Sequence, residues 1–399
     1  MITDLYSLID DWKPLFYMVL AGYTIKMAAT LIVARFLDLT IRDSLTLSLI
    51  MSLRGEVELL LFLHWMDFQL VSMKKKNLYG LMKLLELSNP TIDSPFSVYT
   101  LHLIELVGRS NPVFIDHEIE EKKDNQSHIS SIHNALKIFQ ETRGEFIKIH
   151  PFTAMTIRRS MYQNICELAL CKHACLIIVP FHKKMTDNHA RTRRIKQVFQ
   201  SVSSNVLAHA PCTVGILVDR SPYPNIVNGV LRSSMHHLVV LFLGGADARE
   251  ALCYADRMAG SPAISLTVIR FLPNRDDDDT EMEKKLDDGL LTWFWVKNEG
   301  NTRVVYREVV VKNGEETIAA IQAINGDCCD LWIMGRKQGI NPVLLQGLSN
   351  RSEKSELGVI GDYVASMDFG SRGSILVVQQ QILRGQGPAS AFSWCKKWQ

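Results

Sequence analysis

The sequence lacks a CxxC pair, any His or Cys set at zinc spacing, a nucleophile elbow and a complete phosphate loop. No catalytic residue, metal site or enzyme class is therefore assigned from motifs. It also lacks an excess of either charge. Lys and Arg number 44 against 42 Asp and Glu, for a formal net charge of +2. No global field steers such a chain toward nucleic acid. Its amino terminus lacks the positive charge of a secretory signal and carries Asp4, Asp10 and Asp11 instead.

What is present is a foldable composition, 47% hydrophobic and 22% charged, over 399 residues. That length holds two or three compact domains. The 8 cysteines sit mostly inside apolar runs, which suits buried thiols in a reducing compartment.

Apolar residues concentrate in the first seventy or so positions. Pro14–Leu37 is long enough to span a bilayer, with Lys26 near its middle and Arg35 near its end. A central lysine costs about 2.5–3.5 kcal/mol to insert, and each Leu, Ile, Val or Phe returns about 0.3–0.6 kcal/mol. The balance is only marginally favourable, so protein neighbours should suit this helix better than lipid. A second apolar stretch, Leu45–Met66, carries Arg54, Glu56 and Glu58 in its middle and needs a polar cavity or partner helix.

Beyond Lys74, Lys75 and Lys76 the pattern becomes that of an α/β protein. Strands are predicted at Ser97–Leu103, Ile147–Phe152, Cys175–Pro180 and Thr213–Asp219. Helices are predicted at Ser127–Thr142, Met161–Ala174 and Phe199–His209. A second series then follows. Its strands are His237–Leu243, Ala263–Phe271, Val304–Val311, Leu331–Met334 and Ser374–Gln379. Its helices are Asp247–Gly260, Thr317–Ile324 and Leu357–Ala365. Strand alternating with helix predicts parallel sheets covered on both faces. Each series ends with helix, buried strand, loop, short helix and final strand. This order reads as a tandem duplication with its boundary in Arg220–Arg232.

Several long stretches together resemble the carboxy-terminal region of plant CHX cation/proton exchangers. They are LLELSNPT (84–91), SPFSVYTLHLIELVGRSNPVFIDH (94–117), IHPFTAM (149–155), LIIVPFHKK (176–184), NVLAHAPCTVGILVDR (205–220), FLGGADAREALCYADRMA (242–259) and DLWIMGR (330–336). Ser52–Glu58 (SLRGEVE) resembles the polar break in a late membrane helix of that family. The resemblance implies exchange of K⁺ or another monovalent cation for protons, in endomembranes or the plasma membrane, with roles in cation and pH homeostasis. It implies a multi-pass protein and, in the intact family, a homodimer in contact with membrane lipids. It further implies two domains similar to universal stress proteins on the cytosolic side.

The resulting expectation is an α/β chain preceded by two membrane-type helices. Residues 1–72 would be residual membrane helices, and 73–220 a first α/β domain whose opening strand is missing. A linker would occupy 221–230, a second α/β domain 231–382 and a disordered tail 383–399. The helix whose acidic residues bind the ion in the family has no match here, so the chain is expected to retain mainly the regulatory region. The alternative is a membrane-tethered or soluble module that binds a nucleotide or a partner protein without transport.

Candidate sites divide the same way. By resemblance, Lys26, Arg54, Glu56 and Glu58 are transport-related. Lys26 would balance ion-site carboxylates in the family; the plainer reading is a lysine snorkelling to the interface. Arg54 and Glu58 have the four-residue spacing of an ordinary helical ion pair. Gly335, Arg336 and Gly339, with Gly244, Gly245 and Asp247, form a possible nucleotide or ligand loop, because glycines let backbone amides approach a phosphate. The plainer reading of Gly244–Asp247 is a tight turn followed by an aspartate cap. His102, His117, His182 and His209 are candidate proton sensors. No cofactor is required by any of these patterns.

Overall fold

The computed structural model describes residues 78–106, 111–117, 127–181, 201–220, 235–274, 281–324, 329–337, 339–348, 356–366 and 369–381. The chain divides into two units, Met1–Lys74 and Lys75–Gln399, and the described residues all lie in the second. Both apolar segments, the 221–230 linker and the 383–399 tail fall outside the described residues. Among the described residues, no helix is long and apolar enough to cross a membrane.

The described residues form two sheets. The smaller contains β1 (Phe96–Glu105), β2 (Val113–Asp116) and β3 (Ile147–Thr156), in the order β1-β3-β2. The larger contains β4 (Leu176–Pro180), β5 (Thr213–Val218), β6 (His236–Phe242), β7 (Ile264–Pro273), β8 (Val304–Val311), β9 (Leu331–Gly335) and β10 (Ser374–Gln379). Its order is β4-β5-β10-β9-β6-β7-β8. The named helices are α1 (Ser127–Arg143), α2 (Met161–Cys171), α3 (Ala246–Ala259), α4 (Glu281–Asn298), α5 (Gly314–Ile324) and α6 (Gly358–Ala365). Residues 78–87 and 201–209 are also helical.

The α/β class follows from the alternation of elements, but the sheets are mixed where parallel ones were expected. β2 runs antiparallel to β3, and β5 antiparallel to β10. The second exception joins strands of the two series into one sheet. β5 and β10 are apolar on both faces, and all six residues of each are buried. The two strands meet from Val214–Gln379 to Val218–Ile375. Each thereby satisfies the row of amides and carbonyls that an edge would leave exposed.

The apolar runs explain why the sheet is covered on both sides. Successive side chains of a strand point to opposite faces. Leu238, Val240 and Phe242 of β6 enter the core shared with α3, while Val239 and Leu241 enter the core on the other face. In β9, Leu331 and Ile333 take the first side, and Trp332 and Met334 the second.

Residues 78–87 tie the two sheets together. Leu84 and Leu87 join the core of α3, while Leu78, Met82 and Leu85 pack on the small core formed by Leu136, Phe139, Ile147 and Ile149. These spacings place each set on its own helical face. The segment that follows is clamped to α3. The Ser88 and Tyr254 hydroxyls lie 2.5 Å apart, Arg257 Nε donates to the Ser88 carbonyl at 3.2 Å, and the Arg257 guanidinium lies 4.3 Å from the Phe96 ring centroid.

Ile216 sits in the joining strand at 1% exposure. Ile216→Ala is expected to cost about 2–5 kcal/mol of stability by denaturant unfolding. Because β5 and β10 share one ladder, hydrogen exchange should accelerate in both 213–218 and 374–379. Acceleration confined to 213–218 would contradict the continuous sheet.

Candidate functional site

In an open α/β sheet a crevice forms beyond the carboxyl ends of the strands, where the connections diverge to opposite sides. Here that position lies between β6, whose chain continues to β7 on one side, and β9, which flanks it on the other. All six residues of the glycine-rich candidate loop gather there. A Cβ on Gly335 would lie 2.5 Å from the Ala248 amide nitrogen and 2.7 Å from the Asp247 carbonyl carbon. One on Gly339 would lie 2.5 Å from Gly245 Cα. The loop after β9 is therefore pressed onto the turn after β6. Gly244 and Gly245 hold φ of +88° and +85°, which glycine adopts without steric cost.

The amides of this crevice are engaged by the chain itself. Asp247 is completely buried; its Oδ2 accepts from the Lys337 amide at 2.9 Å and its Oδ1 from the Gln380 amide at 2.8 Å. Gly245 rather than Asp247 occupies the cap position of α3, and Asp247 clamps the ends of β9 and β10. Asp287 Oδ2 accepts from the Gly245 amide at 2.9 Å, and its Oδ1 takes Arg249 Nη1 at 2.5 Å. Arg249 is 2% exposed and also reaches Glu283 at 2.8 Å. Burial pushes the Asp287 carboxyl above its ordinary value, although Arg249 and the Gly245 amide pull the other way.

Arg336 crosses the mouth of the crevice. Its Nη1 donates to Gln379 Oε1 and its Nε to the Glu356 carbonyl, both at 2.7 Å. Beside it lies Glu356, only 8% exposed. Burial pushes the Glu356 carboxyl up to about 7; Arg336 draws it down and Asp362 raises it further. Its Oε1 accepts no hydrogen bond among the described residues. Sequence reasoning missed Glu356, because a glutamate in a loop gives no periodic or motif signal.

The remaining candidates are dispersed. Lys26, Arg54, Glu56, Glu58 and His182 lie outside the described residues. His117 Nε2 pairs with Thr153 Oγ1 at 2.8 Å, and His209 Nδ1 with the Asn205 carbonyl at 2.9 Å. The expectation of buried thiols holds for Cys212 and Cys253; Cys171, the last residue of α2, and Cys175, the residue before β4, are exposed. Among the described residues no group of His, Cys, Asp or Glu has the arrangement to hold a metal ion. A recess lined by Gly80, Lys83, Asp330 and Ser374 lies at the amino ends of β9 and β10, opposite the crevice, and is about the size of a water molecule.

Residues 98–222 match the family model described as plant cation/H(+) antiporter domain, and residues 235–379 the one described as plant cation/H(+) antiporter, C-terminal domain. Cation/H(+) antiporter 25 of Arabidopsis thaliana is 41% identical over 453 aligned positions, covering 94% of this chain and 53% of that protein. Cation/H(+) antiporter 24 of the same plant is 39% identical, with 96% and 55% covered. The chain thus spans about half the length of the curated relatives it matches. The 453 aligned positions exceed the 399 residues present here by 54, so the first relative has at least that many residues inside the matched span without counterparts. Among solved structures, a universal stress protein from Archaeoglobus fulgidus is similar at TM-score 0.38 and 15% identity, covering 76% of this chain and 92% of that one. The chain belongs to the plant cation/H(+) antiporter family.

Proposed function

We propose that the α/β region is a pH-responsive regulatory region of a monovalent-cation/proton exchanger, with K⁺ as the cation. The observation that carries this reading is Glu356. It is a nearly buried carboxyl, pushed up to about 7, next to Arg336 in the loops at the carboxyl end of the sheet. In a family that exchanges protons, a group changing charge near neutral pH in those loops can report proton concentration to the rest of the fold. The region is read as two tandem halves, 73–220 and 231–382. The recurring order of elements and the pairing of the final strands of each series support that reading.

The nucleotide alternative is favoured by the clustering of Gly244, Gly245, Gly335 and Gly339. It is opposed by the Asp247 and Asp287 carboxylates, which already take amides that a phosphate would need. The region is therefore proposed to work without a nucleotide or any other cofactor, and not as an enzyme. The segments Pro14–Leu37 and Leu45–Met66 are proposed to place the protein in an endomembrane or the plasma membrane. Lys26, Arg54, Glu56 and Glu58 would belong to that part, with lipids and a second copy as neighbours. Lys74, Lys75 and Lys76 favour a cytosolic α/β region.

Three measurements test these statements. A glycosylation acceptor fused after Gln399 should remain unmodified when the chain is made with microsomes; glycan addition would place the tail in the lumen. Millimolar ATP should leave Tm unchanged, whereas a bound ligand at a hundred times its Kd would add about 2.7 kcal/mol. Glu356 binds its proton more tightly in the folded chain, at about 7 against an ordinary 4.5. Stability should therefore fall as pH rises from about 4.5 to 7 and level off above, by about 3 kcal/mol at most. Glu356→Gln should flatten that slope, and an unchanged slope would remove Glu356 as the sensor.

A further inference from the structure

Two sheet edges in the described residues face a position that, elsewhere in the same chain, is filled. In the second series β6 runs between β7 and β9 and is parallel to both. It pairs with β7 from His236–Ile264 to Phe242–Arg270, and with β9 from Leu238–Leu331 to Leu241–Met334. The strands in the corresponding places of the first series are β1 and β4. β3 follows β1 as β8 follows β7, and β5 follows β4 as β10 follows β9. Among the described residues β1 pairs only with β3, and β4 only with β5. No described strand takes the place of β6 between them, and the first series is split into two sheets there.

Burial gives a second, independent sign. β7 buries five of its ten residues and β9 all five of its own. β1 buries none of its ten, and β4 only Ile177. Val98, Leu101, Leu103 and Ile104 of β1, with Ile178 and Val179 of β4, are left half-buried. The helical residues 78–87 underlie both edges. Leu85 shares a core with Val98 of β1, while Leu81 shares one with Leu176 and Ile178 of β4. A ten-residue helix is about 15 Å long, so both edges lie within its reach.

We propose that β1 and β4 form a receptive slot for one added strand, supplied in trans by an extended peptide. Its chemistry follows from β6. The occupant is about five to seven residues long, aliphatic on both faces, free of proline, and parallel to both flanks. A strand buried on two faces reads as a continuous apolar run, and main-chain bonds to two edges supply affinity that alternating side chains make specific. The slot depends on strand order and burial alone, and stands whether or not Glu356 senses pH.

The probe is a fluorescein-labelled peptide carrying the His236–Phe242 sequence between lysine pairs, titrated into the full chain in detergent and read by anisotropy. Saturable micromolar binding is expected. N-methylation of two alternate amides keeps every side chain but removes ladder donors, and should weaken binding at least tenfold. Hydrogen exchange should slow in 96–105 and 176–180, and not in 304–311, where β8 offers the other open edge of the larger sheet. No saturable binding, equal binding of the methylated peptide, or protection at β8 instead would each overturn the proposal. Protection of 96–105 and 176–180 that rises with protein concentration in the absence of peptide would assign the slot to a second copy, and would equally overturn it.

Discussion

The antiparallel pairing of β5 with β10 is the contact on which the larger sheet depends. Each strand closes its own series, and each is apolar on both faces, so neither could end the sheet in water without exposing a hydrophobic ladder. Paired, they make one seven-stranded sheet and leave the β4 and β8 edges as its termini. The join is reinforced from outside the ladder. Arg220, just beyond β5, donates to the Ser371 carbonyl at 2.9 Å and to the Ser366 carbonyl at 3.0 Å, where α6 ends. A cation suits the negative end of a helix dipole. Thr213, at the start of β5, donates to Glu250 of α3 at 2.8 Å. Polar groups at both ends of β5 thus fix the register that the apolar middle would tolerate slipping.

The crevice between β6 and β9 shows a second use of buried charge. A sheet of this order collects amides at its carboxyl end, and in many folds such amides receive an anion. Here Asp247 and Asp287 supply the negative charge from within, and Arg249 balances Asp287. Removing one partner of such a set costs more than the set contributes, because the other is left buried and uncompensated. The arrangement therefore favours one fixed closed form. Glu356 differs in kind. Its Oε1 lacks a hydrogen-bond partner among the described residues, and burial pushes its carboxyl up to about 7.

Much of this was legible in the sequence, for a physical reason that varies with the element. The doubly buried strands Thr213–Val218, Leu331–Gly335 and Ser374–Gln379 are short apolar runs, and were located to within a residue. α4 was missed because Glu281–Asn298 buries only Asp287, Leu290, Leu291 and Phe294, too few apolar positions to mark a helical period. β2 was missed because four residues carry no usable period. The gathering of Gly244, Gly245 and Asp247 with Gly335, Arg336 and Gly339 was anticipated as a list of residues. The direction of their bonds was not, since a sequence does not say which carboxylate will reach which amide. The antiparallel join was beyond reach for a like reason: strand patterns give burial but not the sense of pairing.

The small sheet shows how far such a local element can stand on its own. Three strands with one apolar face need a covering layer to be stable. α1 supplies Leu136 and Phe139 to that layer, against Ile147 and Ile149 of β3. The rest comes from residues 78–87, whose other face is committed to the larger sheet through Leu84 and Leu87. The helix is therefore shared, and neither core is complete without it. Arg257 extends the same dependence beyond the helix. It holds the Ser88 carbonyl, the Ser94 carbonyl and hydroxyl, and the face of Phe96 at the first residue of β1. One residue of α3 thus fixes where β1 begins. The position of the small sheet is set by the second series, and a change at Arg257 would act on a strand more than 150 positions earlier in the chain.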